Sequence, residues 1–203
     1  MKANVGMRYT VAAPVDTETM GSAITYGTGM IIGPAVAANL NLDVADNPDY
    51  GDDIIIDNDN GVNGYSGTLE TNNITAEGRA ALLGWTAIQN TATPPAVTHY
   101  EVGDGAAPYV GWGFIRVKMF KGSKSYEAFW FHKAQFSPAA INANTKQKAI
   151  EWNHPSLNVT GMGVYLDNSG TAKYFDWMEF SSLSAAKTWL YAKANYTEPV
   201  VTT

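Results

Sequence analysis

Three histidines, His99, His132 and His154, are the residues best suited to proton chemistry near neutral pH. No two of them stand four apart and no HExxH occurs, so no helix face offers the paired imidazoles of a zinc hydrolase. Each is read as a surface or structural residue. A serine nucleophile on a strand-to-helix elbow needs Gly-x-Ser-x-Gly, and the nearest stretch, Gly64-Tyr65-Ser66-Gly67, has the wrong spacing. The 19 glycines form no GxGxxG or GxxxxGK phosphate cradle and read instead as turns and close contacts. Cysteine is absent, which removes disulfides, thiolate metal sites and thiol nucleophiles together.

Acidic residues come nearest to a site. In DNGVNGYSGTLE, residues 59–70, Asp59, Asn63, Gly64 and Glu70 occupy the first, fifth, sixth and twelfth places of a calcium loop. Gly61 brings no ligand to the third place, Ser66 replaces the apolar eighth, and no amphipathic helices flank the stretch, so a hairpin tip is preferred. Asp43, Asp46, Asp49, Asp52, Asp53, Asp57 and Asp59 follow one another with no basic residue among them. Such a run is a solvated loop, a surface that repels polyanions, or a loop that docks on a basic patch of a partner. Lys121, Lys124, Lys133, Lys146 and Lys148 are candidates for that patch. We expect no catalytic, cofactor-binding or metal site.

The elements that position these residues follow from composition and pattern. The 203 residues are 45% hydrophobic, enough for one buried core, and we expect a single domain over residues 1–203. Only 16% are charged, so the surface holds few ion pairs, and the net charge of -6 disfavours ordinary nucleic-acid binding. No apolar run is long enough to span a membrane, and the opening MKANVGMRYTVAAP makes a poor signal peptide.

Along the chain, MIIG and the alternation of Val36, Ala38, Leu40, Leu42 and Val44 predict strands. Residues 54–73 predict a hairpin or long loop, turning at Asn60-Gly61 or Asn63-Gly64. Thr75 as N-cap and Gly84 as terminator bound a helix over TAEGRAALLG, with Glu77 in its first turn, and residues 87–98 read as a loop. A turn at Gly122-Ser123 pairs Met119 with Tyr126, Val117 with Ala128 and Ile115 with Trp130 on one apolar face. The opposite face pairs Lys118 with Glu127, Arg116 with Phe129 and Phe114 with Phe131, and the strand ends where His132 and Lys133 emerge. Three more short strands follow Pro138, with Asp167-Asn168-Ser169-Gly170 as a hairpin turn, and SLSAAKTWLYAKA suggests a C-terminal helix.

Four segments, EGRAALLG (77–84), PYVGWGF (108–114), YEAFWFHKAQFSP (126–138) and NTKQKAIEW (144–152), give the chain its likeness to a known family. In this order the chain resembles the major tail tube proteins of long-tailed, non-contractile bacteriophages. The resemblance implies a mainly β fold, a β-sandwich or small barrel with one packed helix and a long inter-strand loop. It implies hexameric rings stacked into a tube, with a tape-measure protein in the lumen, DNA passing through later, and distal tail and tail-terminator proteins at the ends. Carried onto this chain, Thr75 to Leu83 is the packed helix, 114–133 a central hairpin, and 45–64 the inter-ring loop. Residues 1–15 are a candidate extended arm, and 180–203 have no assigned role. The implied location is the virion tail, reached from the host cytoplasm, with no membrane association. The alternative reading is a carbohydrate-binding module, since eleven Tyr and six Trp on a β scaffold offer stacking platforms. An enzyme ranks third.

Overall fold

A computed structural model describes residues 3–90, 97–138 and 154–199. The chain is mainly β. In order it forms β1 (Ala3–Thr17), β2 (Thr25–Tyr26), β3 (Met30–Gly33), β4 (Ala35–Val44), β5 (Asn47–Gly51), β6 (Ile54–Asp59) and β7 (Val62–Thr71). Helix α1 (Ala76–Leu83), β8 (Thr86–Asn90), β9 (Val97–Glu101), β10 (Val110–Phe120), β11 (Ser123–Pro138), β12 (Ser156–Gly161), β13 (Phe175–Phe180) and α2 (Leu183–Lys193) follow. The main sheet runs β2-β1-β10-β11-β12-β7-β4, with β3 also on β1 and β13 also on β11. β4, at one end of this order, lies close to β1 near the other, so the sheet curls around an interior.

Two apolar clusters occupy its two faces. The interior holds Tyr65, Leu69, Val110, Trp112, Phe114, Phe131, Phe136, Leu157 and Val159, closed by Leu82 and Leu83 of α1. On the outer face, Ile115, Ala128 and Trp130 pack under Ala186, Leu190 and Tyr191 of α2. Strand alternation divides the side chains: Val11 and Ala13 join the outer cluster and Ala12 the inner one.

The same alternation explains PYVGWGF. Val110, Trp112 and Phe114 enter the interior, leaving Gly111 and Gly113 on the outer face. A Cβ at Gly111 would lie 2.5 Å from the Trp130 ring and 2.5 Å from that of Tyr26. One at Gly113 would lie 2.2 Å from the Phe129 carbonyl oxygen and 2.7 Å from Leu190 Cδ1. Glycine here lets the indole and the helix approach the sheet backbone.

The expected helix forms as read. Thr75 Oγ1 accepts from the Gly78 N–H at 2.9 Å, and Gly84 ends it in the left-handed conformation at φ 71°. The side chain of Glu77 lies outside the described residues. The C-terminal helix also forms, preceded by a strand through WMEF.

The central hairpin forms with a different register. Lys121 and Gly122, at φ 46° and 81°, are the turn, and Phe120 pairs with Ser123. Two-residue hairpin loops favour positive φ at both central positions, which Lys121-Gly122 meets with a glycine and Gly122-Ser123 would have met with a serine. The shift is two residues, so both faces keep their side chains. Its consequence is that Arg116, not Lys118, stands opposite Glu127, while Phe114 faces Phe129.

β11 does not end at His132. Phe131 pairs with Trp112 and Ala134 with Val110, so His132 and Lys133 together oppose Gly111 as a β-bulge. The bulge changes parity, so Phe131 and Ala134, three apart, both face the interior. It also marks a change of partner: residues before it pair with β13, those after it with β12.

Other expectations need correction. Ile54–Asp59 does not pair with Val62–Thr71: Asp52 and Asp53 take positive φ, a conformation aspartate tolerates, and fold β6 back on β5. β7 instead pairs with β4 and β12. Residues 87–98 are not simply a loop, since β8 and β9 pair with each other, Ile88 opposite His99. The Asp167-Asn168-Ser169-Gly170 turn forms, but only the bridge Val164 to Lys173 closes it. In β4 only Ala38 and Leu40 of the alternating set pack on the interior, while Val36, Leu42 and Val44 are exposed. Residues 1–15 lie from Ala3 onward in β1, paired along β10. Of 180–203, residues 183–193 form α2, and 200–203 lie outside the described residues, as does NTKQKAIEW with Lys146 and Lys148.

Trp130 is fully buried. Trp130→Ala is expected to lower unfolding stability by about 3–5 kcal/mol in denaturant titration, and a loss below about 1 kcal/mol would place the indole outside the core. Gly113→Ala is expected to cost about 1–3 kcal/mol by forcing β11 and α2 away from β10.

Candidate functional site

Two surfaces and one buried cluster gather the residues that sequence reading singled out. The first surface is the β5–β6 hairpin, inserted between β4 and β7. Ala45 N–H donates to the Gly61 carbonyl at 2.7 Å, which closes its base. Beyond that point Tyr50, Ile54, Ile55 and Ile56 are 64%, 65%, 57% and 67% exposed, so among the described residues neither face of the hairpin is covered. Asp49 stands directly opposite Asp57, a like-charge pair that disfavours the isolated ribbon. Among the described residues, none of Asp43, Asp46, Asp49, Asp52, Asp53 and Asp57 makes a salt bridge.

Sequence reading found the acidic run but not the apolar character of the tip. The signal was present as three consecutive isoleucines, which no half-buried strand needs. The calcium-loop spacing is not realised, because Val62–Thr71 is one continuous strand with Asn63, Gly64 and Glu70 in it. Among the described residues no group of three or more His, Cys, Asp or Glu is placed to hold a metal ion.

The second surface is a set of cross-strand rows on β10, β11 and β13. Trp112, Phe131 and Phe175 make the deepest row, with centroids 4.8 and 5.2 Å apart. Phe114, Phe129 and Trp177 form the next, at 5.3 and 6.4 Å and with rings within 27° of parallel. Arg116, Glu127 and Glu179 form the third. The face thus grades from buried aromatic to charged. Trp177 lies 56% exposed at its margin, while Trp112, Phe114 and Phe131 are buried. Phe114, Phe129 and Phe131 were expected to lie together; Trp177 was missed, because nothing in WMEF indicates that β13 pairs with β11.

Glu127 is buried at 3% exposure and accepts from Arg116 Nε at 2.8 Å and from Lys118 Nζ. The Arg116 guanidinium also lies 4.9 Å from the Phe129 ring centroid. Burial raises the pKa of the carboxyl, but hydrogen bonds from Lys118 and Arg116 outweigh it, and the carboxyl is held below its ordinary value.

The buried cluster surrounds the bulge. His132 is 3% exposed, and its Nε2 lies 3.4 Å from Asp176 Oδ1. Its backbone N–H donates to the Tyr174 carbonyl at 3.0 Å and its carbonyl accepts from the Tyr26 hydroxyl at 2.9 Å. Lys133 turns outward to pair with Glu18 and lies over the Tyr109 ring. His99 falls on β9, and His154 precedes β12. The three histidines are thus on separate elements. Ser66 sits in β7, where its hydroxyl reaches Asp43 at 3.4 Å. Lys121 is in the exposed β10–β11 turn and Lys124 lies just beyond it.

No protein-family model and no curated protein matches the chain.

The Glu127 site generates a pH prediction. A depressed folded pKa contributes stability above the unfolded value near 4.5, lost as pH falls through the folded value. Wild-type stability should therefore decline below about pH 4.5, and Glu127→Gln should lose about 1–3 kcal/mol at neutral pH with a flatter acid limb. Equal slopes for the two proteins in urea titrations across that range would show that the carboxylate is not held by Arg116 and Lys118.

Proposed function

We propose that this chain is a structural protein that polymerises as stacked hexameric rings into the tail tube of a long-tailed, non-contractile bacteriophage, the conduit for DNA delivery. The observation that carries this reading is the β5–β6 hairpin, whose large apolar side chains have no cover among the described residues. Exposed apolar tips of this kind mark contact sites with another macromolecule. A second copy of the chain supplies a partner, and a contact between unlike surfaces of identical subunits propagates into a stack. The curled sheet with one helix against its interior agrees with the fold that the four-segment resemblance implies. The role is assembly rather than catalysis. The partners on this reading are other copies, a tape-measure protein in the lumen, distal tail and tail-terminator proteins at the ends, and DNA in transit without specific binding.

The second reading is a carbohydrate-binding module. The aromatic rows, taken by themselves, favour it over the tube, because near-parallel rings beside Arg116 and Glu127 are the chemistry that holds a sugar ring. Against it, burial leaves only Phe129, Phe175 and Trp177 of the set within reach of a ligand.

Sedimentation velocity separates the two. On the tube reading, concentrated protein forms fast-sedimenting species that Ile54→Asp with Ile56→Asp abolishes, with far-UV circular dichroism unchanged. Unaltered assembly in that variant would remove the hairpin from the contact. A monomer whose tryptophan fluorescence shifts on titration with soluble glucans, and no longer does so in Trp177→Ala, would favour the second reading instead.

A further inference from the structure

One carboxylate joins three elements beside the bulge. Asp176 of β13 offers Oδ1 to His132 of β11 at 3.4 Å and accepts from Lys193 Nζ through Oδ2 at 2.6 Å. Lys193 is the basic residue in the last turn of α2. The geometry at His132 Nε2 falls short of a hydrogen bond, so this buried nitrogen is unsatisfied. The remaining titratable groups around it are accounted for: Tyr26 of β2 donates to the His132 carbonyl, and Lys133 and Glu18 pair with each other.

We propose that His132, Asp176 and Lys193 form an acid-sensitive latch, which loosens α2 when His132 takes up a proton. With the imidazole neutral, Asp176 serves Lys193 alone, and the last turn of α2 is tied to β13. A proton on His132 places a second cation on the same carboxylate, where it repels the ammonium and competes for its anion. Opening α2 carries Lys193 away and leaves Asp176 to the imidazolium. Coupling of this kind is reciprocal, so whatever protonates His132 favours the open helix.

The sign follows from the surroundings. Burial lowers the pKa of His132, Asp176 raises it, and Lys193 lowers it further, leaving it below the ordinary value. The docked state is therefore favoured fully above the ordinary histidine pKa near 6.5 and loses ground as pH falls below it toward the docked value. The loosened helix uncovers the outer cluster, with Ala128 and Trp130 at its centre. This inference does not depend on the tube reading.

Hydrogen exchange of the α2 amides, corrected for the intrinsic pH dependence, tests it. Between about pH 7.5 and about pH 5.5 protection should fall several-fold, up to about tenfold for each unit by which docking lowers the His132 pKa. His132→Gln should show no such fall. Since that buried substitution can itself disturb folding, Asp176→Asn, at the half-exposed end of the latch, provides a second check: α2 protection near neutral pH should already drop toward the acid value. Constant wild-type protection across the range, a retained fall in His132→Gln, or unchanged neutral-pH protection in Asp176→Asn would each overturn the latch.

Discussion

The bulge at His132 and Lys133 lets one strand line two cores and hold two partners. Before it, β11 sends Ala128 and Trp130 outward beneath α2 and Phe129 and Phe131 inward, with β13 alongside. After it, the inserted residue returns Ala134 and Phe136 to the interior and β12 takes over the ladder. Were the same residues to run in regular alternation, without the bulge, the strand would aim Ala134 and Phe136 at the α2 side. The sheet would lose the inner anchors that allow it to curl back toward β4. Gly111, opposite the bulge, and Gly113, two residues on, leave the space that the Trp130 indole and α2 then fill.

Much of this was legible in the sequence where the signal was local. The caps of α1, the terminal helix and the two faces of the central hairpin each rest on residues within a few positions of one another. The turn at Lys121-Gly122 shows the limit. Alternation fixes which side chains share a face but tolerates an even shift, and only the demand for positive φ at both turn positions settles the register. The bulge was illegible because FWFHKAQF reads as an ordinary strand, and its parity change becomes visible only with Val110 and Trp112 beside it. Likewise β6 pairs with β5 rather than β7 because β7 gains two longer ladders elsewhere. That is a global preference over the local attraction of an Asn-Gly turn.

The surface divides in a way that bears on function. Among the described residues, some buried polar groups make defined contacts, such as Glu127 with Arg116 and Lys118 and Thr10 with the Gly33 carbonyl, while others, His132 Nε2 among them, have none. Exposed large apolar side chains are spread over the surface, Met20 and Val102 among them, and the hairpin adds a contiguous run in Ile54, Ile55 and Ile56, with Trp177 and Met178 adjacent in sequence on β13. On the proposed reading, the three adjacent exposed isoleucines of the hairpin are a contact surface, set among the aspartates of β5 and β6. The aromatic rows run from innermost rings enclosed by the interior cluster to Trp177, 56% exposed at the margin. On the proposed reading, the activity of this subunit is the arrangement of its copies.

Negative-stain electron microscopy of the purified protein at high concentration tests that claim most directly. Six-fold rings end-on, or hollow rods built from them, are the expected result. Particles that remain single subunits at concentrations well above those where other self-assembling proteins polymerise, and that stay so when offered preformed tail tips as nuclei, would contradict it.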